Sequence, residues 1–251
     1  MVRKKNLLKL AVVIFIAFET LMFFLIHISR VDIESNLRYI SIIGATVFAW
    51  LTLLIELITA KKENEKICNI ISSATDGNFI RIAMLFTLVA DYFMVALEDA
   101  DNLSGVTVFL GTQLFIFLHI YINDKNVKIR SINLITRLIL TVLFIIIAHI
   151  VLGEDADRMA IISVIYYANL CTNAIFAHRV EKSGIVLTIG LILFALCDIN
   201  VGLTAMDTIY GGFPVGSLLY NLMNADVDLI WLFYIPSQTL IPLTLVIKNK
   251  N

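Results

Sequence analysis

Charge is scarce in this chain. Only 16% of its 251 residues are Asp, Glu, Lys or Arg while 59% are apolar, whereas soluble domains carry about a quarter charged. A soluble fold could not cover that much apolar surface. Neither sign dominates: a net charge of −1 provides no basic field of the kind that holds nucleic acid, so no nucleic-acid partner is expected. Cysteine is equally sparse. Cys68, Cys171 and Cys197 fall in a loop and two apolar segments without C-x-x-C spacing, which argues against a zinc ribbon or a disulfide framework and for small buried apolar side chains. The four histidines, His27, His119, His149 and His178, sit on four segments with no H-E-x-x-H or related spacing. No metal or other cofactor is therefore expected.

What the chain has in abundance is long apolar runs. A membrane span needs about 20 such residues, and eight stretches approach that length, at 10–28, 39–59, 79–97, 105–122, 131–152, 159–178, 184–206 and 229–247. No soluble domain fits between them. The first run follows Arg3-Lys4-Lys5 as a signal peptide would, but it contains Lys9 and Glu19 and lacks a small-residue cleavage site, so it reads as a retained helix. The expectation is an all-α polytopic protein, a single eight-helix transmembrane domain over 1–251, in the plasma membrane of a bacterium with membrane lipids as its surroundings.

Basic residues supply the orientation, because cytoplasmic loops collect Lys and Arg. With the N-terminus inside, the inner loops and adjoining helix ends receive Arg3, Lys4, Lys5, Lys9, Lys61, Lys62, Lys66, Arg81, Lys125, Lys128, Arg130, Arg137, Arg179, Lys182, Lys248 and Lys250, which is 16 of 19. Arg30, Arg38 and Arg158 remain outside, where acidic clusters such as Glu98-Asp99-Asp101 and Glu154-Asp155-Asp157 lie. Both termini are thus expected in the cytoplasm. The segment 207–228, with Gly211, Gly212, Pro214 and Gly216, is expected either in the outer interface or as a re-entrant element.

A short echo links the halves. Leu85-Phe86-Thr87-Leu88-Val89-Ala90-Asp91 in the third span is similar to Leu193-Phe194-Ala195-Leu196-Cys197-Asp198 in the seventh, in the same direction across the membrane, as a parallel 4+4 repeat would require. Both end in an acid deep in a span, where a carboxyl costs at least a few kcal/mol and usually faces a cavity or a partner. Thr87 and Met94 share the face of Asp91, while Ala195, Gly202 and Ala205 give Asp198 a small-residue face against which another helix could pack. Tyr166, Asn169 and Asn173, Trp231, Tyr234 and Gln238, and Thr112 with His119 follow helical spacing on spans six, eight and four. Spans three, four, six, seven and eight could then line one polar cavity, the alternative for each Asn or Gln being an ordinary interhelical hydrogen bond. His119 and Tyr121 lie near the cytoplasmic end, where either could also sit in the interface. Glu19 and Glu56 are weaker candidates, Glu56 being close enough to the inner end to snorkel.

These segments resemble the YhhN family of membrane proteins, which includes transmembrane lysoplasmalogenases. Three matches carry the resemblance: Leu85 to Tyr121, where an Asp-ending helix is followed by an acidic loop and F-L-G-T-Q-L-F-I-F-L-H-I-Y-I; Gly190 to Asp198, similar to G-x-x-x-F-x-x-S-D; and Tyr234 to Ile241, similar to Y-x-x-x-Q-x-L-I. Ala90 stands where Gly is common, Cys197 stands where Ser is common, and the loop before Tyr234 is longer than usual. The resemblance implies hydrolysis of the vinyl ether of a lysophospholipid substrate, with Asp91 and Asp198 catalytic and His119, Tyr121, Tyr166, Asn169, Asn173, Tyr234 and Gln238 binding substrate. The competing class is a proton- or ion-coupled transporter using the same aspartates. A retinal photoreceptor would need a lysine at the centre of span seven, and an intramembrane aspartyl protease a G-x-G-D pattern; neither is present.

Overall fold

The computed structural model describes residues 2–28, 34–62, 67–97 and 99–247; Arg30, Lys66, Glu98, Lys248 and Lys250 of the charge pattern lie outside them. Helices run α1 (Val2–Ile28), α2 (Glu34–Lys62), α3 (Ile67–Asp91, followed by a π-helical turn Tyr92–Ala96), α4 (Asn102–Asn123), α5 (Val127–Leu152), α6 (Arg158–Phe176), α7 (Gly184–Tyr210), α8 (Leu218–Met223) and α9 (Leu229–Ile247). Among the described residues there is no strand, and all of these helices except α8 are long and apolar enough to cross a membrane. In lipid a backbone must satisfy itself, which continuous helices do.

Polar residues set the helix ends. The side chains of Asp101, Asn126 and Asp157 accept hydrogen bonds from backbone N–H groups in the first turns of α4, α5 and α6, leaving fewer orphan donors there. Asp228 does the same for α9 through Ile230. α7 ends at Gly211, whose φ of 73° is left-handed, where glycine carries no Cβ penalty.

The bundle has a basic end and an acidic end. At the basic end the ion pairs Arg179–Asp124 (3.2 Å) and Lys125–Glu181 (2.6 Å) tie the α4–α5 turn to the α6–α7 turn. At the acidic end Arg38 pairs with Asp228 (2.7 Å), joining the starts of α2 and α9, and the Tyr210 hydroxyl donates to the Val151 carbonyl, joining the ends of α7 and α5.

Packing arranges α3, α4, α6, α7 and α9 as a closed ring, each touching the next and α9 returning to α3. α1 covers α2 and α9 from outside, and α5 packs chiefly on α6. Only 6% of the α5 span is buried, so α5 is the helix most open to lipid. Close approaches use glycine: a Cβ on Gly190 would meet Ile241 of α9 at 3.1 Å, and one on Gly105 would meet Met94 at 2.2 Å.

Several details differ from the sequence expectation. α3 begins at Ile67, so Cys68 is helical rather than in a loop; helical hydrogen bonding extends past the apolar run that hydropathy detects. Arg137 lies in the third turn of α5 rather than at a helix end, because Asn126 starts that helix earlier than the apolar run begins. The arrangement of the 207–228 segment fits the outer interface better than a re-entrant element. α8 buries no residue and touches α7 through Thr204 and Met223, whereas backbone within the hydrocarbon would need protein around it. The α7 face beyond Asp198 also holds no close-packed helix: nothing lies within 4 Å of a Cβ placed on Gly202, and Ala205 is exposed.

Candidate functional site: two aspartates, each held by a tyrosine

Asp91 ends the regular part of α3, where the chain widens into its π-helical turn. Such turns shift the following side chains off the α-helical register and are frequent at functional sites. Its carboxyl is buried and accepts the Tyr234 hydroxyl of α9 at 2.5 Å. On α7 Asp198 accepts the Tyr166 hydroxyl of α6 at 2.6 Å. Both α3 and α7 pack on α9, so the two acids belong to the same ring of helices. Among the described residues no Lys, Arg or His forms an ion pair with either acid.

Aromatic rings separate the pairs. Phe194, one turn before Asp198, has its ring centroid 5.4 Å from that of Tyr234 and 6.5 Å from that of Tyr166. Phe109 of α4 lies 5.6 Å from Tyr166, and Trp231 stands edge-on to Tyr234 at 5.2 Å. This apolar wall keeps the carboxyls from bulk solvent on the α4 and α9 sides. Asp198 is only half-buried, and the open face around Gly202 leads from it toward the acidic end.

The other expected site residues divide. Gln238 is fully buried one turn below Tyr234, with both amide atoms lacking a hydrogen-bond partner. It follows Pro236, which has no N–H to continue the α9 ladder. Asn169 and Asn173 turn to Arg137 of α5 instead of the aspartates. His119 lies ten residues beyond Phe109, about 15 Å along α4, and bonds with Asn123. Tyr121 packs with its ring tilted against Phe117 and beneath the Arg130 guanidinium at the basic end. The structure therefore gathers Asp91, Asp198, Tyr166 and Tyr234, places Gln238 one turn along α9 from Tyr234, and leaves His119 and Tyr121 elsewhere. Sequence reading missed Phe109 and Phe194, although Phe194 lies inside the repeated Leu-Phe motif. Thr87 and Thr112 share a hydrogen bond of 3.3 Å between α3 and α4.

No group of three His, Cys, Asp or Glu that could hold a metal exists among the described residues. What the site offers is two carboxyls and two phenols, which can give and take protons in an environment shielded from water. This is a polytopic α-helical membrane protein with a carboxyl pair inside a ring of five helices. Residues 50–245 match the YhhN family, and the chain belongs to it. No curated protein and no solved structure matches the chain.

Proposed function

We propose that this protein is a lysoplasmalogenase-like hydrolase that cleaves the vinyl ether of a lysoplasmalogen to a fatty aldehyde and a glycerophospho-base. The observation that carries the reading is a pair of carboxyls in one ring of helices, each accepting a phenol hydroxyl and, among the described residues, neither in an ion pair. Cleavage of a vinyl ether begins with protonation of the alkene carbon remote from oxygen. That leaves an oxocarbenium ion, which an adjacent carboxylate stabilises. Water then adds to the cationic carbon and gives its proton to that carboxylate. The resulting hemiacetal collapses, its hydroxyl proton returning to a carboxyl while the departing glycerol oxygen gains one. The sum is substrate plus water, with no redox change. Two acids serve if one holds a proton while the other is ionised, a state that like-charge repulsion favours.

The half-buried side of Asp198, beside the open face at Gly202, is where an alkenyl chain would enter from lipid. The basic end is taken as cytoplasmic, so reporters fused at residues 1 and 251 should both be cytoplasmic, and a signal from the other side of the membrane at either one would overturn that orientation. The chemistry is tested with purified protein given lysoplasmalogen or its saturated alkyl-ether analogue. Aldehyde should appear from the first alone. A proton-coupled carrier would release none from either, and release from the saturated ether would rule out alkene protonation.

A further inference from the structure

Arg137 places a full positive charge in the lipid-facing helix with no carboxylate among the described residues to balance it. Among the described residues its hydrogen-bond partners are neutral amides: it donates to the side-chain oxygens of Asn169, Asn173 (2.8 Å) and Asn133 (3.5 Å). No Asp or Glu lies in ion-pair contact with it. Its guanidinium lies over the Phe117 ring, 4.3 Å from the centroid. Asn173 in turn donates to the backbone and side-chain oxygens of Gln113 (2.9 Å each). Two donors of this cluster are spare, for Arg137 Nε and Gln113 Nε2 are buried and have no partner. Asn133, Asn173 and Gln113 are at least 97% buried, their exposures being 3%, 0% and 0%.

A charge in the membrane interior usually has a partner or a task. Here three asparagine oxygens fix the guanidinium, yet amides cancel none of its charge, and the Nε–H left without a partner can donate to an oxyanion. The helix carrying it is open to lipid along most of its length, so the anion would arrive from the bilayer. The most abundant anion there is a phospholipid phosphate.

We infer that Arg137, positioned by Asn133, Asn169 and Asn173 and assisted by Gln113, binds the phosphate of the lysolipid substrate. The inference rests on the hydrolase reading for the identity of the lipid. Its geometry comes from α6: Asn169 is three residues from Tyr166, the partner of Asp198, so the two side chains are neighbours about 5–6 Å apart on one face. Three glycerol carbons separate the ether oxygen of a lysoplasmalogen from its phosphate oxygen, a reach comparable to one helical turn of about 5.4 Å. A phosphate held at Arg137 would thus bring the vinyl ether to the level of the aspartates, and the site would select phospholipids over neutral ether lipids.

The test is calorimetric titration, in a phosphate-free maltoside detergent, of saturated alkyl-ether lysophosphoethanolamine and of phosphate-free alkylglycerol with the same chain. Neither ligand can be hydrolysed, so binding is read apart from catalysis. Wild type should prefer the phosphate-bearing ligand at least tenfold, Arg137→Gln should reduce that preference to threefold or less, and Arg137→Lys should retain part of it. Equal wild-type affinity for the two ligands would overturn the inference with no variant needed, which covers the case in which Arg137→Gln does not fold. An undiminished preference in folded Arg137→Gln would also overturn it. Displacement by a diacyl phospholipid as effective as by the lysolipid would assign the site to a resident membrane lipid and overturn the substrate assignment. Phosphate-dependent binding without aldehyde release from lysoplasmalogen would sink the hydrolase reading while supporting the anion site.

Discussion

Two regions of this bundle bury ionisable groups on opposite terms. Between α2 and α3, Arg81 is 2% exposed and meets Glu56 at 3.5 Å; it also donates to the Thr52 hydroxyl, the Ala49 carbonyl and the Asn78 side chain. That region is balanced in charge and rich in donors and acceptors, as a buried ion must be to persist. In the ring of α3, α4, α6, α7 and α9, two acids have one phenol apiece, and among the described residues neither forms an ion pair. The first arrangement holds helices together; the second is costly to hold and is explained by what it does. Stability and activity should therefore respond oppositely when each region is changed.

The largest effect is expected at the aspartates. Asp91→Asn and Asp198→Asn should each lower aldehyde release by about a thousandfold or more, the scale on which a member of a cooperating catalytic group is lost, with the double variant adding little. Asparagine keeps the shape and an acceptor for the tyrosine but can neither donate a proton to carbon nor carry charge. Thermal unfolding in detergent should stay at or above the wild-type midpoint, because a neutral amide in place of an acid removes the cost of keeping a charge away from water. Loss of folded protein in either variant would erase the contrast with Arg81.

Arg81→Ala should do the reverse. Removing one partner of a buried pair costs about 3–5 kcal/mol, enough to bring a marginal membrane domain close to unfolding. The combined Arg81→Met and Glu56→Leu variant should regain most of that, since matched apolar groups often replace a buried pair at little cost. If the double variant stays folded but loses aldehyde release, the pair belongs to the site after all, and the division into a structural and a functional region fails.

The phenols test the comparison at finer scale. Hydrogen bonds to charged groups are worth about 1.5–3 kcal/mol, so Tyr166→Phe and Tyr234→Phe should each slow turnover about 10- to 100-fold, with a fall in the unfolding midpoint smaller than that of Arg81→Ala. An unequal pair of losses would sharpen the account by separating the roles of Asp91 and Asp198, whose surroundings differ: Asp91 is closed in, while Asp198 is half-buried beside Gly202.

How much of this was legible in the residues follows from what each signal encodes. Span number and the unusual aspartates could be read directly, because an apolar run of membrane length and an acid within it are local features. The tyrosine partners were half-visible: helical spacing placed Tyr166 and Tyr234 on polar stripes, but which acid each would meet depends on the ring order, in which α9 returns to α3. Arg137 was misplaced because basic residues were sorted by distance from loops, and an arginine three turns into α5 looked like a helix-end charge. The i, i+4 pairs Asn133–Arg137 and Asn169–Asn173 were the available signal. The hydrogen bonds also do not follow the proposed repeat, since Asp91 of span three bonds to span eight while Asp198 of span seven bonds to span six.

The mildest probe lies outside the membrane, at Asp124 in the α4–α5 turn. Burial pushes its carboxyl up, but the Asn126 backbone N–H and the Arg179 guanidinium outweigh that, and Arg130 adds its charge, so the group sits below the ordinary carboxylate range. A carboxyl with a lowered folded value contributes stability that is present above its unfolded value, near 3.9, and is lost as pH falls through the folded one. Arg179 has 38% of its side chain exposed, so screening by solvent reduces the contribution. Asp124→Asn should therefore cost on the order of 1 kcal/mol or less, read as a slightly lower unfolding midpoint at pH 7, with the gap to wild type closing as the solution is taken below pH 4. Aldehyde release should be unchanged, because the turn is at the basic end and the aspartates are in the acidic half. A fall in activity equal to that of the tyrosine variants would mean that the basic end is coupled to the site, and that charge burial in this protein cannot be sorted by place.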